Sequence, residues 1–374
     1  PMFRWRNLNW SLLIILYALL MIGAATVFSA SSTALLPYAF GKKQVVWILI
    51  GTCILVGSLC ISYQKIGEWS YFIYGACLVF LLLTFVIGVE RNNARCWISL
   101  GFMELQPSEL MKIAFILCLA RYLRYRGDQQ TWLGLINPFL ITFVPLILIL
   151  KQPDLGTAMM FFPILFACLF VAGSRVKHLS VIILLGILML PLVYFNLKVY
   201  QQQRIDVFLK QDHLTQEEIR KHGYHLHQSK IAIGSGGLWG QGFQQGTQNR
   251  LNLLPERHTD FIFAVIGEEF GFLGCAIVLL LYFLLFFACL NVADQTKEPF
   301  GRVVVVGVVT LLFTQVFVNT GMTIGLMPIT GITLPFLSYG GSSLVTSMLA
   351  IGLILNVIVY RVHVLGKDSF LLGK

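Results

Sequence analysis

The stretch LNLLPERHTDFIFAVIGEEFGFLGCAIVLLLYFLLFFACL, Leu251–Leu290, joins a polar, charged segment directly to an apolar run that holds two carboxylates. About 20 apolar residues suffice to cross a bilayer as a helix. A charge left in hydrocarbon costs on the order of 3 kcal/mol on insertion scales and more in simulations. The run at 261–290 therefore reads as a membrane span, and at least one of Glu268 and Glu269 must face protein or water. It is long enough to tilt or to extend past the bilayer.

The same pattern recurs along the chain. The 374 residues are 57% hydrophobic and 12% charged, with a mean hydropathy of +0.78, where soluble domains carry about 25% charged residues. Runs of spanning length fall at 10–30, 44–62, 69–88, 108–124, 134–150, 156–173, 179–197, 261–290, 303–326 and 342–360. They predict an all-α integral membrane protein of about ten transmembrane helices in a single polytopic domain, 1–374. The first run is too long for a signal peptide and lacks a clean cleavage site. With both termini inside, the inward segments hold thirteen Lys and Arg, and the short outward loops hold five, Lys42, Lys43, Arg91, Arg95 and Lys151. The positive-inside rule then favours N-in, C-in. The net charge of +10 is accounted for by topology and attraction to anionic lipid, so nucleic acid is not implied as a partner. Seven of the eight cysteines fall in apolar runs; only Cys96 is expected outside, and no CxxC or other metal spacing occurs.

One connection is large. Residues 198–260, between spans 7 and 8, form an extracytoplasmic loop. Thr215 and Glu218 stand at capping-box spacing, a mixed helix is expected to about Ile233, and GSGGLWGQGFQQGTQ follows at 234–248. The expectation is short helices lying on the membrane surface, folded against the bundle. The glycine run has two readings, a set of turns needing positive φ or a cradle for a lipid phosphate; without GxxxxGK[ST] it is not a nucleotide loop. Five of the seven histidines lie here, His213, His222, His225, His227 and His258. Their spacing matches no metal site, and ordinary loop histidines are the simpler account.

Charges gather at the outward ends of the spans: Arg91, Arg95, Glu104, Glu109 and Lys112, then Lys151 and Asp154, then Arg257, His258 and Asp260. Glu109 and Lys112, three apart, share a helix face and can pair. Asp260 has two readings, a reacting carboxylate or an N-cap for a helix starting at Phe261. Glu268 and Glu269 lie roughly 12–14 Å deeper at helical rise; structural pairing, for instance with Lys112, is the bland account of both. The segment QVFVNTGMTIGLMPITGITLPFLSYGGSS, 315–343, carries Asn319, Ser338 and Tyr339 among helix-breaking Pro328 and Pro335. Broken backbone at membrane depth survives only where protein or a cavity covers it, so 327–341 reads as a re-entrant outer loop or, more plainly, as a tight connection. An enzyme acting on a lipid-linked substrate at the outer leaflet fits this clustering. A transporter or flippase is the alternative, but it expects charges along the whole path and usually internal repeats. A scaffold that only recruits a partner leaves the charges unexplained.

Four motifs, RCWISLGFMELQPSELMKIA (95–114), KQPDLGTA (151–158), IAIGSGGLWGQGFQQGTQNRLNLLPERHTDFIFAVIGEEFGFLG (231–274) and GLMPITGITLPFLSYGGSS (325–343), resemble the SEDS family (shape, elongation, division and sporulation proteins), its elongation branch more than its division branch. The resemblance covers nearly the whole chain and is weakest over 198–225. It implies a peptidoglycan glycosyltransferase of the bacterial inner or plasma membrane that polymerises lipid II, donor and acceptor, into glycan strands at the outer leaflet. It also implies a class B penicillin-binding protein transpeptidase and other elongation-complex proteins as partners. The family's essential aspartate falls in HTDFIFA, which is Asp260 here, the expected general base. Arg95, Glu109, Lys112, Asp154, Arg257 and Ser338 complete the expected substrate-binding set: Arg95 and Lys112 against the diphosphate, and Arg257 helping to keep Asp260 ionised. No cofactor is certain; a divalent cation is a candidate, with Glu109 or Asp154 as candidate ligands.

Overall fold

The computed structural model of the chain describes residues 8–31, 38–91, 94–99, 101, 104–124, 127–197, 199–211, 215, 223–251, 253–254 and 256–368. Each expected span meets one helix: α1 Trp10–Ala30, α2 Ala39–Ser58, α4 Ser70–Ile87, α5 Pro107–Arg124, α6 Trp132–Lys151, α7 Leu155–Val171, α8 Val176–Asn196, α12 Ile262–Gln295, α13 Pro299–Ile324 and α14 Gly341–Asp368. Short helices fill the gaps: α3 Tyr63–Glu68, α9 Val199–Leu209, α10 Tyr224–Gly236 and α11 Thr247–Arg250. Eight of them are long and apolar enough to cross a membrane; α7 has 17 residues, and α5 carries Glu109, Lys112, Arg121 and Arg124 along its length.

Side-chain caps begin several helices, as local sequence dictates. Asn9 accepts from Leu12 N–H at 3.2 Å to start α1, Thr131 caps α6, and Glu298 caps α13 just ahead of Pro299. α13 and α14 form the centre. The apolar window of α14 is 83% buried and that of α13 61%, against 11% for α8, which stands at the periphery. α14 packs on α2, α13 on α5, α7 and α12, and α1 on α12.

Two features were not legible in the apolar pattern. The segment after α4 forms a three-stranded antiparallel sheet, β1 Val89–Arg91, β2 Ala94–Ser99 and β3 Glu104–Leu105, with Val89 opposite Trp97 and Ile98 opposite Leu105. Cys96 on β2 is buried and donates to Gln152 O at 3.3 Å, which ties the sheet to the end of α6. In addition, α12 is two helices joined at Gly271, whose φ is +65°. A Cβ there would strike Gly240 N and come within 2.8 Å of Leu238, so the approach of 238–240 requires glycine.

That approach shows how the expected short helices fold against the bundle. α10 runs alongside the first half of α12: the His225 ring stacks on Phe261 at 6.0 Å, Ile233 meets Gly267, and Gly237 O accepts from Phe272 N–H at 2.8 Å. α10 thus ends level with the Gly271 kink, about three turns past the start of α12. Its apolar and small residues pack on a helix, and the glycines remove the Cβ atoms that would hold the two backbones apart. Glu218 of the expected capping box lies outside the described residues, as do His213 and His222.

Candidate functional site

Three consecutive carbonyls lead into α12, and each accepts a hydrogen bond from a residue 59 to 81 positions later. His258 O accepts from Tyr339 N–H at 2.8 Å. Thr259 O accepts from the Ser338 hydroxyl at 2.6 Å. Asp260 O accepts from Asn319 Nδ2 at 2.9 Å, and the same nitrogen donates to Ile332 O at 2.7 Å. The segment carrying Asp260 is therefore clamped between the C-terminal end of α13 and the chain between α13 and α14.

That connecting chain, 325–340, carries no regular structure, and its second part, 332–338, is deeply packed. Phe336 is 1% exposed with a φ of +66°, a conformation that costs roughly 1–3 kcal/mol for a side-chain-bearing residue. Its backbone touches Gly23, two turns inside the end of α1. Side chains satisfy its polar backbone, as broken structure away from water requires. Asn319 bonds Ile332 O, Tyr282 bonds Pro335 O, Gln44 bonds Ser338 O at 3.3 Å, and Ser338 Oγ accepts from Leu334 N–H at 2.8 Å.

The Asp260 carboxyl lies 3.6 Å from the point a Cβ on Gly331 would occupy. α12 starts at Ile262 with Phe261 as its cap residue and no side-chain cap, so the N-cap reading of Asp260 is overturned. Burial first, and the nearby Glu256 charge second, push this carboxyl up from 3.8 to about 7; Arg204 and a hydrogen bond from Thr259 pull the other way. Burial likewise pushes His225 and His258 below the usual histidine range. The His258 ring stacks on Phe40 at 4.4 Å, with Tyr339 packed edge-on to Phe40 at 5.0 Å.

The other expected site residues fall into place differently. Arg257 is buried, and its Nε and Nη1 donate to Ala30 O and Asn249 O, both at 2.7 Å. The cation that Asp260 feels is Arg204 on α9. Ser338 spends its hydroxyl on two backbone contacts, so it positions chain rather than presenting itself to a substrate. Lys112 is 2% exposed and donates to Glu109 at 2.7 Å, which occupies both members of that pair. Asp154 caps α7 through Thr157 N–H and accepts from Gln106 Nε2 at 3.1 Å; the next turn of α7 brings Gly156 against Thr330, so Asp154 belongs to the same end of the bundle. The side chain of Arg95 lies outside the described residues. Among the described residues no group of three or more His, Cys, Asp or Glu is arranged to hold a metal. Glu109 and Asp154, the candidate ligands, face a lysine and a helix N-terminus.

Glu268 and Glu269 do not pair with Lys112. Glu268 accepts from Gln248 N–H at 2.7 Å, Asn249 N–H at 3.3 Å and the Thr247 hydroxyl at 3.2 Å, and so fastens α11. Glu269 accepts from Ser29 and from Asn249 Nδ2 at 3.1 Å. Together with Arg257 they bind the chain before Asp260 to the end of α1. Sequence reasoning missed Arg204, Glu256 and Gln44. For Arg204 the one available signal is its place three residues after Gln201 in VYQQQRIDVFL.

The sequence matches the model of the FtsW/RodA/SpoVE family, described as cell cycle protein, over residues 6–363. It is 36% identical over 356 residues to the peptidoglycan glycosyltransferase MrdB of Escherichia coli K12, covering 95% of this chain and 94% of that one. Its structure is similar to a chain of a peptidoglycan synthase complex that coordinates polymerization and crosslinking, with a TM-score of 0.82, 32% identity and 96% and 99% of the two chains covered. It is also similar to the rod shape determining protein RodA of Thermus thermophilus, with a TM-score of 0.72, 32% identity and coverage of 96% and 98%.

Proposed function

Since the chain belongs to the FtsW/RodA/SpoVE family of cell cycle proteins, we propose that it is a peptidoglycan glycosyltransferase that polymerises lipid II at the outer leaflet during cell elongation. The observation that carries the mechanism is Asp260: a carboxyl outside any helix cap, poised near 7, on a segment with every adjacent carbonyl clamped. A general base works best with a pKa near the operating pH. Asp260 takes the proton from the 4-hydroxyl of the acceptor sugar as that oxygen attacks the anomeric carbon of the donor. The carbon–oxygen bond to the lipid diphosphate breaks, the diphosphate leaves with the bonding pair, and the α-linked donor becomes a β-linked glycan.

The protein is a multi-pass membrane protein. In our reading it sits in the inner or plasma membrane with Asp260 on the extracytoplasmic face, which the distribution of Lys and Arg supports. It works beside a class B penicillin-binding protein that crosslinks the strands; the likeness to a chain from a polymerizing and crosslinking complex supports that partner. The test supplies labelled lipid II to the purified protein with such a partner and compares wild type with Asp260→Asn by product length. Polymer from wild type alone is the expected result. Polymer from both moves the base elsewhere. Lipid II movement across vesicles without polymer from either revives the flippase.

A further inference from the structure

α9 bridges two places that the apolar pattern keeps apart. At its start, Gln202 Nε2 donates to Tyr194 O at 2.9 Å and Asp206 accepts from the Tyr194 hydroxyl at 2.7 Å, which fold α9 back on the outward end of α8. Just past its end, Gln211 Nε2 donates to Gly325 O at 3.1 Å, at the beginning of the chain that packs beside Asp260. Gln201 and Arg204 are three apart and share a face. Gln201 is buried in the wall of an open groove of about 440 Å³, otherwise lined by Leu150, Met189, Leu192, Val193, Asn196 and Leu197. One turn on, the exposed Arg204 donates through Nη1 to Ile329 O at 3.3 Å, two residues before Gly331 and its Asp260 neighbour.

The groove is apolar, lies between the outward ends of α6 and α8, and opens on the lipid-facing side of the bundle, since α8 is 11% buried. Of the charged residues on α9, Asp206 is held by the Tyr194 hydroxyl, and the exposed Arg204 guanidinium is directed toward the Asp260 segment. Arginine's planar fork suits bidentate contact with phosphate oxygens. An apolar trough with such a group one turn beyond its Gln201 wall, bonded to the chain that packs beside Asp260, matches a molecule with a long hydrocarbon tail, a diphosphate and a sugar, in that order.

We propose that Arg204 is the diphosphate-binding residue of a polyprenyl-diphosphate-linked donor whose tail lies in the α6–α8 groove. The proposal rests on the lipid-linked substrate of the preceding section. It assigns to Arg204 the neutralisation of the leaving diphosphate that Lys112, closed in its pair with Glu109, does not supply. The guanidinium keeps three roles in one place: it holds the ground-state diphosphate, stabilises the charge that develops as the bond breaks, and shares its field with Asp260.

Binding of undecaprenyl diphosphate and of farnesyl diphosphate to the full-length protein in nanodiscs tests this without requiring turnover. Arg204→Gln should weaken both ligands tenfold or more, Arg204→Lys less, and Asp260→Asn should leave both within about twofold of wild type. Val193→Trp, which fills the groove, should weaken the long-chain ligand and spare the short one. An Arg204→Gln protein that elutes as wild type and binds undecaprenyl diphosphate within twofold of it overturns the diphosphate assignment. Equal binding of the long chain by Val193→Trp overturns the groove. If the wild type makes no polymer, the polymerase reading fails while the Arg204 comparison still stands or falls on binding alone.

Discussion

At the scale of single residues, Asp260 combines chemistry and instability in one group. Its carboxyl is raised to about 7, so the folded protein holds a proton there between the ordinary carboxylate range and neutrality that the unfolded chain does not. Stability contributed by that proton is full at low pH and is lost as pH rises through 7. Catalysis by a base has the opposite sign. The logarithm of kcat/KM for lipid II should rise with pH at a slope of one below 7 and level off above it, while Asp260→Asn should abolish turnover and raise Tm relative to wild type above pH 7. A flat rate profile, or a variant no more stable than wild type at pH 8, removes the poised-base account. The clamp makes a second prediction at this scale. Ser338→Ala and Asn319→Ala each strip a donor from a carbonyl beside Asp260, a loss of about 1–3 kcal/mol when the group stays buried, hence roughly 5- to 150-fold if it falls on the transition state. Both should lower kcat more than they raise KM; a pure KM effect would instead return Ser338 to direct substrate contact. HTDFIFA made Asp260 legible in the chain. The clamp was not, because its partners lie 59 to 81 residues away and a single sequence carries no distance between them.

Elements were legible wherever apolar length alone decides, and illegible where glycine does. Ten apolar runs gave ten helices, with ends within eight residues of those expected, since a bilayer leaves a backbone little choice but to satisfy itself. The run at 261–290 gave no warning of its break, because Gly271 sits in it as one apolar residue among thirty. The packing partner of α10 was not legible for a related reason: its composition is mixed, but its packing face is Leu226, Ser229, Ala232 and Gly236, all buried. Gly271→Ala tests the kink. Its φ of +65° and the closeness of Gly240 both penalise a side chain, so the change should destabilise by about 1–3 kcal/mol, read as a lower Tm. An unchanged Tm would mean that α12 runs straight and that the glycine-rich loop packs elsewhere. Glu268→Ala tests the adjoining element. It leaves the Gln248 and Asn249 amides without their acceptor, and proteolytic nicking near α11 should accelerate before any global change in Tm.

For the whole molecule, the arrangement to explain is that the longest irregular segments among the described residues meet at one end. The sheet after α4, the α9–α11 segment, the Asp260 clamp and the chain from 325 to 340 connect the same ends of α1, α5, α7, α12 and α13. A bundle built only to span a membrane has no reason for that asymmetry; one that meets a lipid-anchored sugar at a single leaflet does. Polymerisation at the outer leaflet requires that end to face outward, and orientation is open to direct test in a cysteine-free background. Lys42, Lys151, Lys65 and Lys297 are all exposed, so single cysteines there will report their side of the membrane. Lys42→Cys and Lys151→Cys should react with an impermeant maleimide on intact cells, and Lys65→Cys and Lys297→Cys only after permeabilisation. The reverse pattern would place Asp260 on the cytoplasmic face, and the end that carries the clamp could not then polymerise an outer-leaflet substrate.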